Sequence, residues 1–373
     1  MEDVRASYLR FPGWTQHLWT WQTGKALPGQ QPLIRHTWAS YLAVTLTVFF
    51  AGLGVSTAAL AVMFPYWYGA LVAGWFLTVC GARMMVLVIA HQALHRRFSG
   101  SARTDGFWGE AVTVLSVFHT FREFKEEHFD NHHRREIFAT EADPPVQFLL
   151  NLGFRPGVSR TAQWRRAWTV FLSPAFYWQG FASRVGSNLR HGTWRRLGFA
   201  VWAGWWLSLP LWLPNGALVL VLGFVLPVIV FAQLSALLDR LGEHEWLTPR
   251  NPEYGHRYYT VANTSARFCG SPVPARSVPL AAQTLAWLRW IPLTLFYHLP
   301  CRLLVVVGDL PSHDYHHRYP STTEWTTAAY ARQGDIDTGP AGPDYQEVWG
   351  MGAAIDRVFR SWEGESTGAS ARS

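Results

Sequence analysis

The chain has 373 residues, 49% of them hydrophobic, with 21 Trp, 23 Phe, 13 Tyr and a formal net charge of +7. So many aromatic rings suit membrane–water interfaces, while a mean hydropathy of +0.02 excludes a chain built of membrane spans alone and leaves room for a large polar part. Three widely spaced cysteines, Cys80, Cys269 and Cys301, exclude a disulfide framework and a thiolate metal site.

The opening stretch MEDVRASYLRFPGW lacks the basic region, apolar run and small-residue cleavage site of a signal peptide, so none is expected to be removed. A span needs about 20 mostly apolar residues, and the first such run extends from about Trp38 to Phe64, turns at Pro65 to Gly69 and returns to about Ala90. Arg83 is its only charge and can snorkel near the exit. A second hairpin rises from about Leu197 to Leu213, turns at Pro214 to Gly216 and returns to Leu238. Two shorter apolar stretches, Phe107 to Phe118 and about Leu285 to Val307, read as helices lying along the interface.

Fifteen Lys or Arg residues lie between His91 and Arg196, and none in either hairpin turn. By the positive-inside rule the termini and the connecting segments are cytoplasmic. Lys25 and Lys125 are the only lysines, a bias that suggests a GC-rich bacterial genome and an inner-membrane location. The expected architecture is therefore all-α and polytopic, with four transmembrane helices in two hairpins under a cytoplasmic helical cap. One fused unit covers 1–373: hairpin 38–90, cap segment 91–196, hairpin 197–238, cap segment 239–362 and a loose tail 363–373.

The chemistry lies in the histidines. Eight of fifteen fall into three clusters. In HQALH, His91 and His95 stand four apart on one helical face. In HFDNHH, the 3.6-residue period puts His128 and His132 on one face and turns His133 about 100° away. In HDYHH, His313 and His316 share a face and His317 diverges. All three clusters belong to the segments flanking the hairpins, so they can converge at one depth. Eight imidazoles exceed what one tetrahedral ion takes and supply about four ligands to each of two metals. Spacing alone does not choose among iron, copper, zinc and nickel.

HxxxH, HxxxHH and HxxHH in this order, arranged around two hairpins, resemble the membrane fatty acid desaturase and hydroxylase family. The resemblance covers roughly His91 to Trp325, and Asp143-Pro144 is similar to the Asp-Pro that often trails the second box. It implies a di-iron centre with dioxygen as co-substrate, a lipid or acyl substrate, and reaction as a desaturase or a hydroxylase-type monooxygenase. It also implies a ninth ligand between the second hairpin and the third box. His244 in LDRLGEHEW matches best, after Arg240 and Glu243, with His119 as the lesser alternative. Asp130, Asp309, Asp314 and Glu243 are candidates to orient the imidazoles. One departure is Gln92, where many relatives carry Asp. No GxGxxG fingerprint or iron–sulfur cysteine spacing is present, so electrons must come from an external donor of the ferredoxin type, which the arginine-rich cap can steer. Nothing marks a nucleic-acid partner. The rival class, a histidine-rich metal transporter, would hold its ligands near the bilayer midplane among broken helices, whereas these clusters flank the spans.

Overall fold

The computed structural model describes residues 3–248, 255–275 and 279–369. Two compact units emerge: Thr37–Leu237, and Met1–His36 together with Leu238–Ser373. Among the described residues, three helices are long and apolar enough to cross a membrane, Trp38–Val62, Trp67–Leu94 and Gly216–Leu241. A fourth span results if Leu280–Val305 and Leu310–Arg318, bent by 82° from one another, act as one.

Within the first unit, Thr37 caps the Trp38–Val62 helix by accepting the Ser40 N–H at 3.2 Å, which satisfies one of the orphan donors of its first turn. Small residues let the return helix come close. A Cβ on Gly81 would stand 2.6 Å from the Phe49 backbone, and one on Gly52 would collide with Thr78. This is how helices pack in lipid, where apolar burial between them drives little.

The second hairpin departs from the expectation in its first arm. Thr193–Trp212 is a helix, but its five tryptophans and the pair Arg195 and Arg196 leave it outside the three helices apolar enough to span. Trp194, Trp205 and Trp212 are exposed, as suits an interface. Its second arm contains a long π-helix, Val219–Phe231, with Pro227 inside it. In π pairing, each carbonyl accepts from the N–H five residues on. Pro227 has no N–H to give Leu222, and the indole N–H of Trp75 donates to that carbonyl at 2.6 Å instead.

The other unit is mostly helical but not wholly so. Ser265–Phe268 pairs in parallel with Gln346–Trp349, from Ser265 opposite Gln346 to Phe268 opposite Trp349. Four residues a side are too few to show an alternating pattern against helical neighbours, which is why sequence periodicity missed them. Leu280–Leu293 runs on through π-turns at Thr294–His298 and Cys301–Val305, so the stretch expected to lie along the interface is long enough to span. Tyr8, Val273 and Trp290 form a buried cluster with Phe11, Trp19 and Trp287 packed on it. The Met351–Ala369 helix runs into the stretch expected to be a loose tail, whose residues 370–373 lie outside the described residues.

Trp75→Phe removes the indole donor to the Leu222 carbonyl while keeping an aromatic ring. A buried carbonyl stripped of its partner costs about 1–3 kcal/mol. The variant is expected to unfold at lower temperature than the parent in detergent, and a Trp75→Phe, Pro227→Ala double variant to recover part of the loss.

Candidate metal centre

The first two clusters lie in the Thr37–Leu237 unit. Helix Trp67–Leu94 widens into a π-turn over Met85–Ala90 before His91–Leu94 resumes α winding. His91 and His95 share a face as expected, their ring centroids 5.0 Å apart. The second cluster follows the Phe121–Lys125 helix, which Thr120 and Glu123 close with a reciprocal capping box.

There the backbone widens again, and Glu126–His132 is a π-helix. The His133 N–H bonds the His128 carbonyl at 3.1 Å, five residues back. This winding corrects the expected pairing. His133, not His132, shares the face of His128, with Nε2 to Nε2 at 3.1 Å. The α-helical period was the wrong ruler for this stretch, because π-turns gather at functional sites without a sequence signature.

The nitrogens of His91, His95, His128 and His133 all lie within 4.8 Å of one another. His128 Nε2 is 2.8 Å from His91 Nε2 as well as 3.1 Å from His133 Nε2. One Nε2 carries either a single proton or a single lone pair, so hydrogen bonding serves one of these neighbours and not both. A metal serves all of them. With metal–nitrogen bonds of about 2.1 Å, adjacent ligand nitrogens of an octahedron stand about 3.0 Å apart, and the observed spacings fit. Nitrogen donors without thiolate suit iron, copper, zinc or nickel.

Burial first, and then the neighbouring His91, His133, His132 and His95, hold the His128 pKa well below its ordinary value. The ring is thus neutral, with a lone pair to give. His132 leaves this group and turns its Nδ1 to the Asp143 carboxylate at 3.0 and 3.1 Å, both side chains fully buried. Asp143 is itself fixed by the Ala139 N–H at 2.7 Å. A carboxylate on Nδ1 sets the tautomer and leaves Nε2 as the ligating atom. The sequence showed the Asp-Pro pair but not this role. Of the acids expected to do it, Asp130 pairs with Lys125 at 3.2 Å instead.

The third cluster and His244 lie in the other unit. His313–Arg318 is a short, wholly buried α-helix in which His313 and His317, four apart, bring their Nε2 atoms to 3.1 Å. The expected partnership of His313 with His316 is therefore replaced by the i, i+4 pair, the closer spacing on an α-helix. His244 joins them: its nitrogen lies within 4.8 Å of His317 and of His313, and its Nδ1 meets Thr264 Oγ1 at 2.9 Å. Thr264, twenty residues on, had no local signal. His119 stands elsewhere, bonded to Ser183 Oγ at 3.0 Å, with burial and then Arg184 lowering its pKa to about 4.

Glu243 is 3.4 Å from His313 Nε2 and 2.6 Å from Arg240. Burial alone would raise its pKa, but Arg240, the His313 hydrogen bond and the nearby imidazoles hold it well below the carboxylate range. Asp314 faces away from the imidazoles and takes Arg332 through contacts of 2.8 to 3.0 Å. It anchors the helix rather than orienting a ring.

Two outcomes follow for this centre. Asp143→Asn is expected to weaken metal binding by about 10- to 100-fold, read by chelator competition, while the protein stays folded. Because the folded state depresses the His128 pKa, the unfolded chain takes up its proton first on acidification. Metal-free protein should therefore lose stability as pH falls below about 6.5, and Glu243 adds to the loss below about 4.5 for the same reason. Melting temperatures from about pH 8 to about pH 3 check both parts, and bound metal should flatten the upper part of the curve.

The model of the family described as fatty acid desaturase matches residues 67–340, which holds every histidine of the three clusters and His244. No curated protein sequence matches the chain significantly. A family match over well over half of the length, on a mostly helical chain with buried histidine clusters and candidate membrane spans, places this integral membrane protein in the fatty acid desaturase family, oxidoreductases of the di-iron desaturase and hydroxylase class.

Proposed function

We propose that the protein is an oxygen-dependent desaturase of a fatty acyl or other lipid chain, working through two irons. The ligands in this reading are His91, His95, His128, His132 and His133 from one unit and His244, His313, His316 and His317 from the other. The observation that carries it is the double approach to His128 Nε2, which a shared metal explains and hydrogen bonding does not. Bound iron supplies the activation of dioxygen and the removal of hydrogen from an unactivated carbon.

The chain's own residues hold and aim the ligands. Asp143 and Thr264 fix the tautomers of His132 and His244, and Glu243 places a negative charge beside His313 to offset cationic metal. The apolar faces of Trp38–Val62, Trp67–Leu94 and Gly216–Leu241 offer a hydrocarbon tail a dry surface. The positive charge between His91 and Arg196 sets the histidine segments on the cytoplasmic side, where an acidic ferredoxin-type donor delivers electrons.

The test is elemental analysis of detergent-purified protein, followed by lipid product analysis with reductant and oxygen. Two irons per chain are expected, reduced or lost in His132→Ala and His316→Ala, together with an alkene product that requires reductant. An alcohol in place of the alkene would assign the hydroxylase branch of the class. Zinc alone in folded protein would overturn the oxidase reading.

A further inference from the structure

Behind the third histidine cluster, the Met1–His36 and Leu238–Ser373 unit contains a cleft of about 380 Å³, in the size range of small-ligand sites. Tyr315, Tyr319 and Tyr330 supply its aromatic walls, Glu324 and Asp335 its carboxylates, and Arg35 lines it as well. Tyr315 and Tyr319 meet at a ring-centroid distance of 5.1 Å and an interplanar angle of 53°, so they form a corner rather than a stack.

The carboxylates have phenols for partners and no cation. Asp335 accepts from Tyr319 at 2.8 Å and from Tyr345 at 2.6 Å, and Glu324 accepts from Tyr315 at 3.2 Å. Neither acid forms an ion pair with any described residue. Arg318, close behind, donates to the Ala341 and Pro343 carbonyls and lies over the Tyr345 ring. Burial and the Asp335 hydrogen bond raise the Tyr345 pKa, which keeps that phenol a neutral donor. Among the residues that line the cleft, two carboxylates stand against the one arginine, Arg35, so the lining is net negative, and each carboxylate has lone pairs to spare. Phenol faces add attraction for a cation within about 6 Å of their centroids.

We propose that this cleft binds a small organic cation of the ammonium type, with the tyrosine corner against its alkyl groups and Asp335 and Glu324 countering its charge. A free amine and the ammonium end of a zwitterionic lipid headgroup share this chemistry. In the second case Arg35 is placed to meet the headgroup phosphate. The site shares the His313–Arg318 helix with the metal ligands through Tyr315, yet binding of a cation there requires neither iron nor turnover.

The experiment uses the full chain in maltoside detergent, with choline chloride as the free probe and dihexanoyl phosphatidylcholine against the phosphatidylglycerol analogue as the headgroup probes. Saturation-transfer NMR reads the free probe and its displacement by the lipids. Choline methyl signals should saturate in the parent, and affinity should fall at least about tenfold in Asp335→Asn with Glu324→Gln, as loss of paired charge implies. Tyr330→Leu should weaken choline binding and Tyr330→Phe should keep it, since only the former loses the ring. Displacement by the choline lipid and not by the glycerol lipid assigns a headgroup source; choline binding without lipid competition assigns a free cation. No saturation of choline in the parent, equal affinity in the charge-neutralised variant, or preference for acetate or glucose over choline would overturn the proposal. Iron removal should leave the binding unchanged, so failure of the oxidase reading and failure of this one are seen in different assays.

Discussion

A group of imidazoles whose nitrogens stand 2.8 to 3.1 Å apart in a buried setting cannot be protonated together, because each added charge would face its neighbours across a poorly screening interior. Neutrality of the rings is therefore the condition under which the Thr37–Leu237 unit folds as it does, and it is the state a metal needs. Burial enforces it at His128, and Asp143 and Thr264 choose which nitrogen of His132 and His244 keeps its proton. The distances that make protonation costly are also those that suit a metal site.

Main-chain winding delivers those distances. π-turns stand immediately before the first box and through the second, and a longer one occupies Val219–Phe231. Each widened turn frees or displaces a carbonyl from regular pairing, and in a hydrocarbon setting every such group must find a partner within the protein. Trp75 meeting Leu222 is the plainest instance. A tryptophan far away in sequence completes a helix that a proline interrupts, and so ties two spans of the unit together.

The parts of the protein that repeat a simple rule were legible in the sequence. Three histidine boxes and the long apolar runs need only spacing or composition to be seen, and they are what point to the family. Facing within the boxes was not legible. An α-helical ruler put His128 with His132 and His313 with His316, whereas the backbone chose a five-residue step in one box and a four-residue step in the other. Partners brought by tertiary folding were equally hidden: nothing local connects Thr264 to His244, or Arg332 to Asp314. The Thr193–Trp212 helix was legible as an element, but its five tryptophans and two arginines set it apart from the more apolar runs, since tryptophan prefers the wet edge of a membrane to its middle.

The six-residue helix His313–Arg318 is buried on every side, and its residues face different tasks. His313 and His317 turn toward His244, Asp314 is clasped by Arg332, Tyr315 walls the cleft, and Arg318 ties down the chain near Ala341. Such a segment has no neutral surface on which mutations can accumulate, and no property of it can be tuned in isolation. Selection for altered ligand binding at Tyr315 would act on the same short turn that spaces the imidazoles. Change in what the cleft binds is thereby steered away from this helix and toward the cleft's outer walls, where Glu324 and Tyr330 sit on separate elements.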